Sequence, residues 1–159
     1  MLYFDHNATT PLLPEARDAW VHAAEEYVGN PSSPHRVGSR ADTALQHARE
    51  TLASLLTCNP SDLVWTSGVT EANNMVLHHF ACAPAPQSEI WVSAIEHPCV
   101  LEAARYYARD RFRLIPVNEA GVIDVGWLKD NLRGGTVVFC GNTRGLDVAS
   151  VLEEARSRG

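Results

Sequence analysis

The sequence lacks the features of an exported, membrane-spanning or nucleic-acid-binding protein. No apolar run among its 159 residues is longer than five, whereas a membrane-spanning helix needs about 20 apolar residues. The N-terminus carries no basic flank ahead of an apolar stretch, so it does not resemble a secretory signal. The formal net charge is -6, with both signs interspersed, so we expect no basic surface for nucleic acid or anionic lipid. These absences predict a cytoplasmic protein that binds neither nucleic acid nor membrane.

The cysteines lack the spacing of a metal site or a disulfide framework. The chain has four of them and no CxxC pair. Structural zinc sites and small disulfide-rich domains use closer, patterned spacings. With no export signal, we expect reduced thiols and no bound metal. The four positions are Cys58, Cys82, Cys99 and Cys140.

The order of apolar patterns predicts an α/β fold. Short apolar runs at 63–66, 89–94, 112–117 and 136–140 have the character of strands, and helical patterns separate them. We expect helices over 14–28, 39–57, 69–80, 98–109, 124–132 and 148–158. Repeated alternation of strand and helix predicts a mainly parallel sheet with helices on both faces, in three layers. The length suits one domain, here predicted as 14–159 behind an N-terminal segment 1–13.

The segment after the first predicted strand is a candidate phosphate-binding turn. Ser67, Gly68 and Thr70 stand between that strand and a predicted helix. The N–H groups at a helix start attract anions, a glycine lets the backbone approach closely, and both hydroxyls could donate to phosphate oxygens. The alternative is ordinary capping, in which Ser67 or Thr70 serves only the helix.

Two further groups of polar residues lie outside the predicted elements. His97 follows the next strand and could stack on a flat aromatic ligand, with Glu96 either orienting it or favouring the helix start. Polar residues are also dense in the segments 5–11 and 29–35. Such segments occur in binding sites, but turns use the same residue types for local hydrogen bonds.

Five blocks of sequence together resemble a known family. They read YFDHNATTP, GNPSSPHRVG, LVWTSGVTEANNMVL, SAIEHPCVLEAARY and VNEAGVIDVGWLKDNL, and they span about residues 2–133. In order and spacing they are similar to the class V aminotransferase fold, in its cysteine desulfurase branch. The resemblance implies the first half of the large domain of a fold-type I pyridoxal-phosphate enzyme. Such enzymes convert L-cysteine to L-alanine, pass on a persulfide for iron–sulfur cluster assembly, and act as homodimers.

The resemblance also implies roles for individual residues. The cofactor phosphate would be held at Val69 and Thr70, and His97 would stack on the pyridine ring and assist proton transfer. Residues near the substrate would be Asn7, Ala8 and Asn30.

The resemblance weakens after about residue 134. Asn142 matches the family's asparagine that contacts the phenolic oxygen of the cofactor only if several residues are deleted before it. The segments that carry the family's cofactor-bonding lysine and sulfur-accepting cysteine have no counterpart here. The only lysine is Lys129, which we expect on the exposed surface of a helix, and we expect Cys99 to be a structural thiol.

Two interpretations of the whole chain follow. In the first it is a truncated cysteine desulfurase that binds pyridoxal phosphate non-covalently at best, is inactive alone, and pairs with a second copy or with a missing C-terminal half. In the second it is a degenerate, non-catalytic module that binds a phosphorylated ligand or a protein partner.

Overall fold

The computed structural model describes residues 2–6, 8–82 and 88–140. Within these residues the chain forms five α-helices and three β-strands. They divide into two compact units, Met1–Trp65 and Thr66–Gly159, while the boundary at residue 13 remains a prediction. In chain order the elements are α1 (Pro14–Glu26), α2 (Arg36–Leu56), α3 (Val69–Cys82), β1 (Ile90–Ser93), α4 (Pro98–Ala108), β2 (Phe112–Ile115), α5 (Val125–Asn131) and β3 (Val137–Phe139).

The first unit contains α1 and α2. Helix α2 begins three residues earlier than its apolar pattern predicted, because the Nδ1 atom of His35 accepts a hydrogen bond of 3.1 Å from the N–H of Gly38. The same start is packed against the preceding loop. A Cβ atom at Gly38 would lie 2.3 Å from the carbonyl oxygen of Ser33, so only glycine fits there.

The sheet of the second unit is parallel, with the strand order β2-β1-β3. All four residues of the central strand β1 are buried. Because side chains alternate along a strand, Ile90 and Val92 pack in one cluster with residues of α3 and α4. Trp91 packs in a second cluster with Ile115 of β2 and Leu128 of α5. Helices therefore cover both faces, which confirms the predicted three-layer α/β arrangement.

The strand order places a reversal of topology at β1. The chain runs from β1 through α4 to β2 on one side, and returns through α5 to β3 on the other side. In open parallel sheets, ligands bind beyond the carboxyl ends of the strands at such a reversal. The turn 94–97 that follows β1, and Cys140 that follows β3, lie at this edge.

The predicted strand at 63–66 is wrong. These residues form no strand, and Val64 and Trp65 are 66% and 44% exposed. Instead, the guanidinium of Arg49 donates to the carbonyl oxygen of Leu63 and lies 5.3 Å from the ring centroid of Trp65. The side chain of Arg49 therefore satisfies a backbone carbonyl that, in a sheet, would accept a hydrogen bond from a neighbouring strand.

Some of the predictions concern residues that the structure does not describe. Asn7, Asn142 and the predicted helix 148–158 lie outside the described residues. Within the described part of the chain, none of the helices combines the length and the apolar character needed to cross a membrane.

Candidate functional site

One cleft of the second unit brings together two of the segments that the sequence singled out. It has a volume of about 430 Å³. The turn before α3 forms one side, and the turn between β1 and α4 forms the other. Because α3 and α4 pack together through the buried cluster on β1, their first residues both reach this cleft. The lining residues are Ser67, Gly68, Val69, Thr70, Glu71, His97 and Cys99.

The side chain of Glu71 accepts hydrogen bonds from both donors of Ser67. The backbone N–H and the hydroxyl of Ser67 donate to the same oxygen, Oε2 of Glu71, over 2.6 and 2.7 Å. These two hydrogen bonds hold the pKa of the Glu71 carboxyl below its ordinary value, with the backbone bond as the larger cause. The bonds therefore persist at neutral pH and are lost as the pH falls through that lowered pKa. In this structure Ser67 donates to Glu71, and its predicted donation to a phosphate stays a prediction.

The first turn of α3 keeps other donors available to an anion. The N–H of Ala72 bonds to the carbonyl oxygen of Gly68 over 3.1 Å, which is the first hydrogen bond of the helix. Like any helix start, α3 therefore has N–H groups at Val69 and Thr70 without partners inside the helix. A Cβ atom at Gly68 would meet nothing within 4 Å, so there is open space beside the turn. Thr70, which carries a hydroxyl, is exposed and lines the same cleft.

His97 forms the N-terminal cap of α4. Its Nδ1 atom accepts a hydrogen bond of 3.2 Å from the N–H of Cys99, and the Sγ atom of Cys99 lies 3.1 Å from the same nitrogen. The cap uses only Nδ1, and the side chain is exposed. The ring is thereby held at the cleft with Nε2 outside the cap. This capping contact is compatible with the predicted stacking of the ring on a flat aromatic ligand, which stays a prediction.

Glu96 and Cys140 lie behind this edge of the sheet. Glu96 is buried, with 8% of its surface exposed. Burial, and secondly the negative charge of Glu96, raise the pKa of the Cys140 thiol to about 11 from its ordinary value of 9.0. Cys140 also packs against the cluster around Trp91. It is therefore a neutral apolar thiol and not a nucleophile at physiological pH.

We expect Cys140 to resist alkylation. A thiol with a pKa near 11 holds about a hundredfold less thiolate at pH 8 than one with a pKa of 9.0, and thiolate is the reactive form. Treatment with iodoacetamide at pH 8, followed by peptide mass mapping, should modify the exposed Cys82 first and Cys140 much more slowly. Equal rates for the two thiols in the folded chain would contradict the burial of Cys140. Because the raised pKa favours the folded state only below pH 9, stability should fall between about pH 9 and pH 11.

The remaining predicted residues have the following positions. Ala8 lies in the first unit, where its N–H donates to the carbonyl oxygen of Asp5 over 3.1 Å. Asn30 also lies there, and its side-chain oxygen accepts from the N–H of Ser32 over 2.9 Å, as in a local turn. Lys129 lies on α5 and is half-buried, so its predicted full exposure is wrong, because α5 packs against the sheet through Leu128. Lys129 is not among the described residues that line the cleft.

Sequence reasoning predicted Cys99 to be a structural thiol, but it did not predict the contacts by which Glu71 and Cys99 support the cleft residues. Glu71 stands four residues after Ser67, which is the spacing that lets a helical side chain reach back to its own N-terminus. Cys99 stands at the second position of α4, where a backbone N–H points toward a capping side chain. Both signals were present. Among the described residues, no group of three or more His, Cys, Asp or Glu side chains could hold a metal ion.

Comparison with known families decides the classification. A family model described as aminotransferase class-V matches residues 2–143. The chain belongs to this family. The class-V assignment confirms the family resemblance of the five sequence blocks, and the match extends past about residue 133, where those blocks end.

The curated relatives of this class-V aminotransferase domain include cysteine desulfurases. The chain is 33% identical over 141 residues to cysteine desulfurase IscS 1 of Archaeoglobus fulgidus, covering 87% of this chain and 37% of the relative. A solved NifS-like protein superposes with a TM-score of 0.85 at 27% identity, over 98% of this chain and 46% of that one. A structure of SspA in complex with cysteine gives a TM-score of 0.77 at 25% identity, over 97% and 48%. The chain therefore spans less than half the length of each of these three relatives.

Proposed function

We propose that this chain is the pyridoxal-phosphate-binding part of a cysteine desulfurase. One observation carries the proposal: a single cleft holds both the turn at the start of α3 and the imidazole of His97. The cofactor has an anionic phosphate at one end and a flat aromatic ring at the other. An anion-binding helix start and a planar side chain on one cleft match these two parts.

The donors of the cleft fit the phosphate. An anionic group, the carboxylate of Glu71, already lies on the donors of Ser67 at 2.6 and 2.7 Å, which is typical of charge-assisted hydrogen bonds. The N–H groups of Val69 and Thr70 and the hydroxyl of Thr70 remain for a second anion. The volume of about 430 Å³ falls within the usual range of small-molecule sites, roughly 300–1,000 Å³.

The residues of this chain would bind and orient the cofactor and move one proton. When bound, pyridoxal phosphate supplies an electron sink for carbanion chemistry. Val69 and Thr70 would hold its phosphate, and His97 would lie over its ring. Because Nδ1 of His97 is engaged by the cap of α4, Nε2 is the nitrogen at which this imidazole would exchange a proton with a ligand.

The amino acid substrate is part of the same proposal. The similarity to IscS 1 and to SspA, whose structure is in complex with cysteine, supports L-cysteine as the substrate. The sulfur of L-cysteine would pass to a protein thiol, which thereby becomes a persulfide that supplies iron–sulfur cluster assembly, and L-alanine would be the second product. Asn7, Ala8 and Asn30 would lie on the substrate side, Asn142 would contact the phenolic oxygen of the cofactor, and the assembly would be a homodimer or a pair with a second polypeptide.

A second candidate function is non-catalytic binding of a phosphorylated ligand. The observation that favours it is the position of Lys129, the only lysine of the chain, on a helix that packs against the opposite face of the sheet from α3 and α4. Covalent attachment of the cofactor requires a lysine at the site. Non-covalent binding of a phosphorylated ligand at the turn before α3 does not require a lysine.

Replacing His97 by asparagine tests the contact with the ring. Asparagine is a good N-cap residue, so His97→Asn preserves the start of α4 and removes only the ring. We expect affinity for pyridoxal phosphate to fall about twofold to tenfold, since aromatic stacking contributes about 0.5–1.5 kcal/mol. Cofactor fluorescence titration measures the affinity.

The matched control for this test is His47→Asn. His47 is an exposed histidine of α2 in the first unit, and its substitution should leave the affinity unchanged. Wild-type affinity in His97→Asn, with an unchanged thermal midpoint, would remove the ring contact from the proposal. A wild-type chain that binds neither pyridoxal phosphate nor inorganic phosphate would refute both candidate functions.

A further inference from the structure

Two polar side chains, those of Asn73 and Cys99, meet behind the imidazole of His97 in the cleft. The Nδ2 atom of Asn73, on α3, lies 3.3 Å from the Sγ atom of Cys99, on α4. That sulfur lies 3.1 Å from Nδ1 of His97. Asn73 and Cys99 are half-buried, and they connect the helix that starts at the phosphate turn with the helix that His97 caps.

Elementary hydrogen-bond chemistry fixes the direction of every bond in this group. The backbone N–H of Cys99 can only donate, and it points at Nδ1 of His97 over 3.2 Å. Nδ1 is therefore the acceptor, and the proton of the neutral ring is on Nε2. The thiol can then approach Nδ1 only as a donor, through S–H. Its sulfur lone pairs are left to accept from the amide N–H of Asn73.

The thiol adds something that the helix cap does not. Any residue except proline at position 99 would supply the backbone N–H, whereas the second donor to Nδ1 comes from the side chain of Cys99. Asn73 holds this side chain from the opposite direction. Two donors on one nitrogen disfavour the alternative tautomer more strongly than one donor does, because a proton on Nδ1 breaks both bonds.

We propose that Cys99, oriented by Asn73, is a positioning residue that keeps the proton of neutral His97 on Nε2. Its use in catalysis rests on the proposed function, in which Nε2 faces the bound ligand. The arrangement itself is a property of the chain without any ligand. Cys99 thus acts through His97 and is not the nucleophile of the reaction.

Nitrogen-15 spectroscopy of the ligand-free 159-residue chain tests the arrangement. Histidine labelled with ¹⁵N gives different resonances for protonated and unprotonated ring nitrogens, and comparison with His97→Asn assigns His97 among the seven histidines. At about pH 7.5, where an ordinary histidine of pKa about 6.5 is mostly neutral and an ordinary thiol of pKa about 8.5 is mostly protonated, we expect a single neutral tautomer with the proton on Nε2. Cys99→Ala should raise the share of the other tautomer about threefold to tenfold, since one of the two hydrogen bonds is lost.

Two variants separate positioning from packing. Cys99→Ser restores an O–H donor and should restore the wild-type tautomer ratio. Asn73→Leu keeps a good helix former of similar size, removes the donor to sulfur, and should shift the ratio in the same direction as Cys99→Ala. Should Cys99→Ala fail to fold, blocking the thiol of the wild-type chain with methyl methanethiosulfonate removes the same S–H donor. A mixed tautomer in the wild type, or an unchanged ratio after loss of the thiol, overturns the proposal.

Cofactor titration of the same variants keeps the two proposals distinguishable. We expect Cys99→Ala to bind pyridoxal phosphate about threefold to tenfold more weakly than the wild type, and Cys99→Ser to bind like the wild type. If the wild type shows no phosphate-dependent binding, the proposed function fails while the tautomer result stands. If binding is phosphate-dependent but the tautomer ratio does not respond to Cys99, only the positioning role fails.

Discussion

The 159-residue chain, mixed with pyridoxal phosphate and L-cysteine, is expected to form L-alanine no faster than the free cofactor does. The physical reason is the position of its only lysine. Lys129 is half-buried on α5, a helix that packs against the sheet through Leu128, and it is not among the described residues that line the cleft. Without an amine at the site, the step that attaches and releases the cofactor has no catalyst.

Two measurements check this expectation. Alanine is quantified by mass spectrometry during incubation with cysteine, and the same mixture is reduced with borohydride and digested to locate any cofactor bound to Lys129. The matched variant is Lys129→Arg, which keeps the positive charge but cannot bond the cofactor in this way. Turnover well above the free cofactor that disappears in Lys129→Arg would overturn the expectation and place Lys129 in the chemistry.

The parallel sheet was predictable because its central strand has a local signature. Ile90, Trp91 and Val92 form an uninterrupted apolar run, as expected of a strand that is buried on both faces. The run at 63–66 has the same local character, and yet it forms no strand. The difference is non-local, since strand formation depends on a neighbouring strand, and the sequence pattern does not report one.

The helix starts show a second limit of sequence patterns. Apolar spacing placed the start of α2 near residue 39, whereas the cap at His35 extends it to Arg36. Histidine is not one of the usual capping residues, so its Nδ1 atom was overlooked at both His35 and His97. In each case the imidazole accepts from a backbone N–H two or three residues later.

The candidate site was predictable in position but not in its internal bonding. The rule that ligands bind beyond the carboxyl ends of parallel strands led to the segment around His97, which follows β1, whereas the segment around Thr70 was reached through the predicted strand 63–66, which does not form. It could not show that Ser67 donates to Glu71, because a hydroxyl beside a helix start serves a ligand or a side chain equally well. Only the structure shows that the hydroxyl of Ser67 bonds to a side chain, whereas Thr70 lines the cleft without such a bond among the described residues.

The difference between these two hydroxyls leads to the second prediction. We expect Thr70→Ala to weaken binding of pyridoxal phosphate about tenfold to a hundredfold, because a hydrogen bond to a charged group contributes about 1.5–3 kcal/mol. Pyridoxal, which lacks the phosphate, should bind both proteins with equal affinity. Thr70→Ser keeps a hydroxyl and should bind pyridoxal phosphate almost as the wild type does. Isothermal titration of the two ligands against each protein measures the effect.

Ser67→Ala is the matched control for this prediction, since it removes the neighbouring hydroxyl from the same turn. That hydroxyl already donates to Glu71 over 2.7 Å, so we expect a change in cofactor affinity of less than about threefold. Equal losses in Ser67→Ala and Thr70→Ala would mean that the whole turn is disturbed and that Thr70 has no special contact. Equal affinity of the wild type for pyridoxal and pyridoxal phosphate would show that the start of α3 does not bind the phosphate.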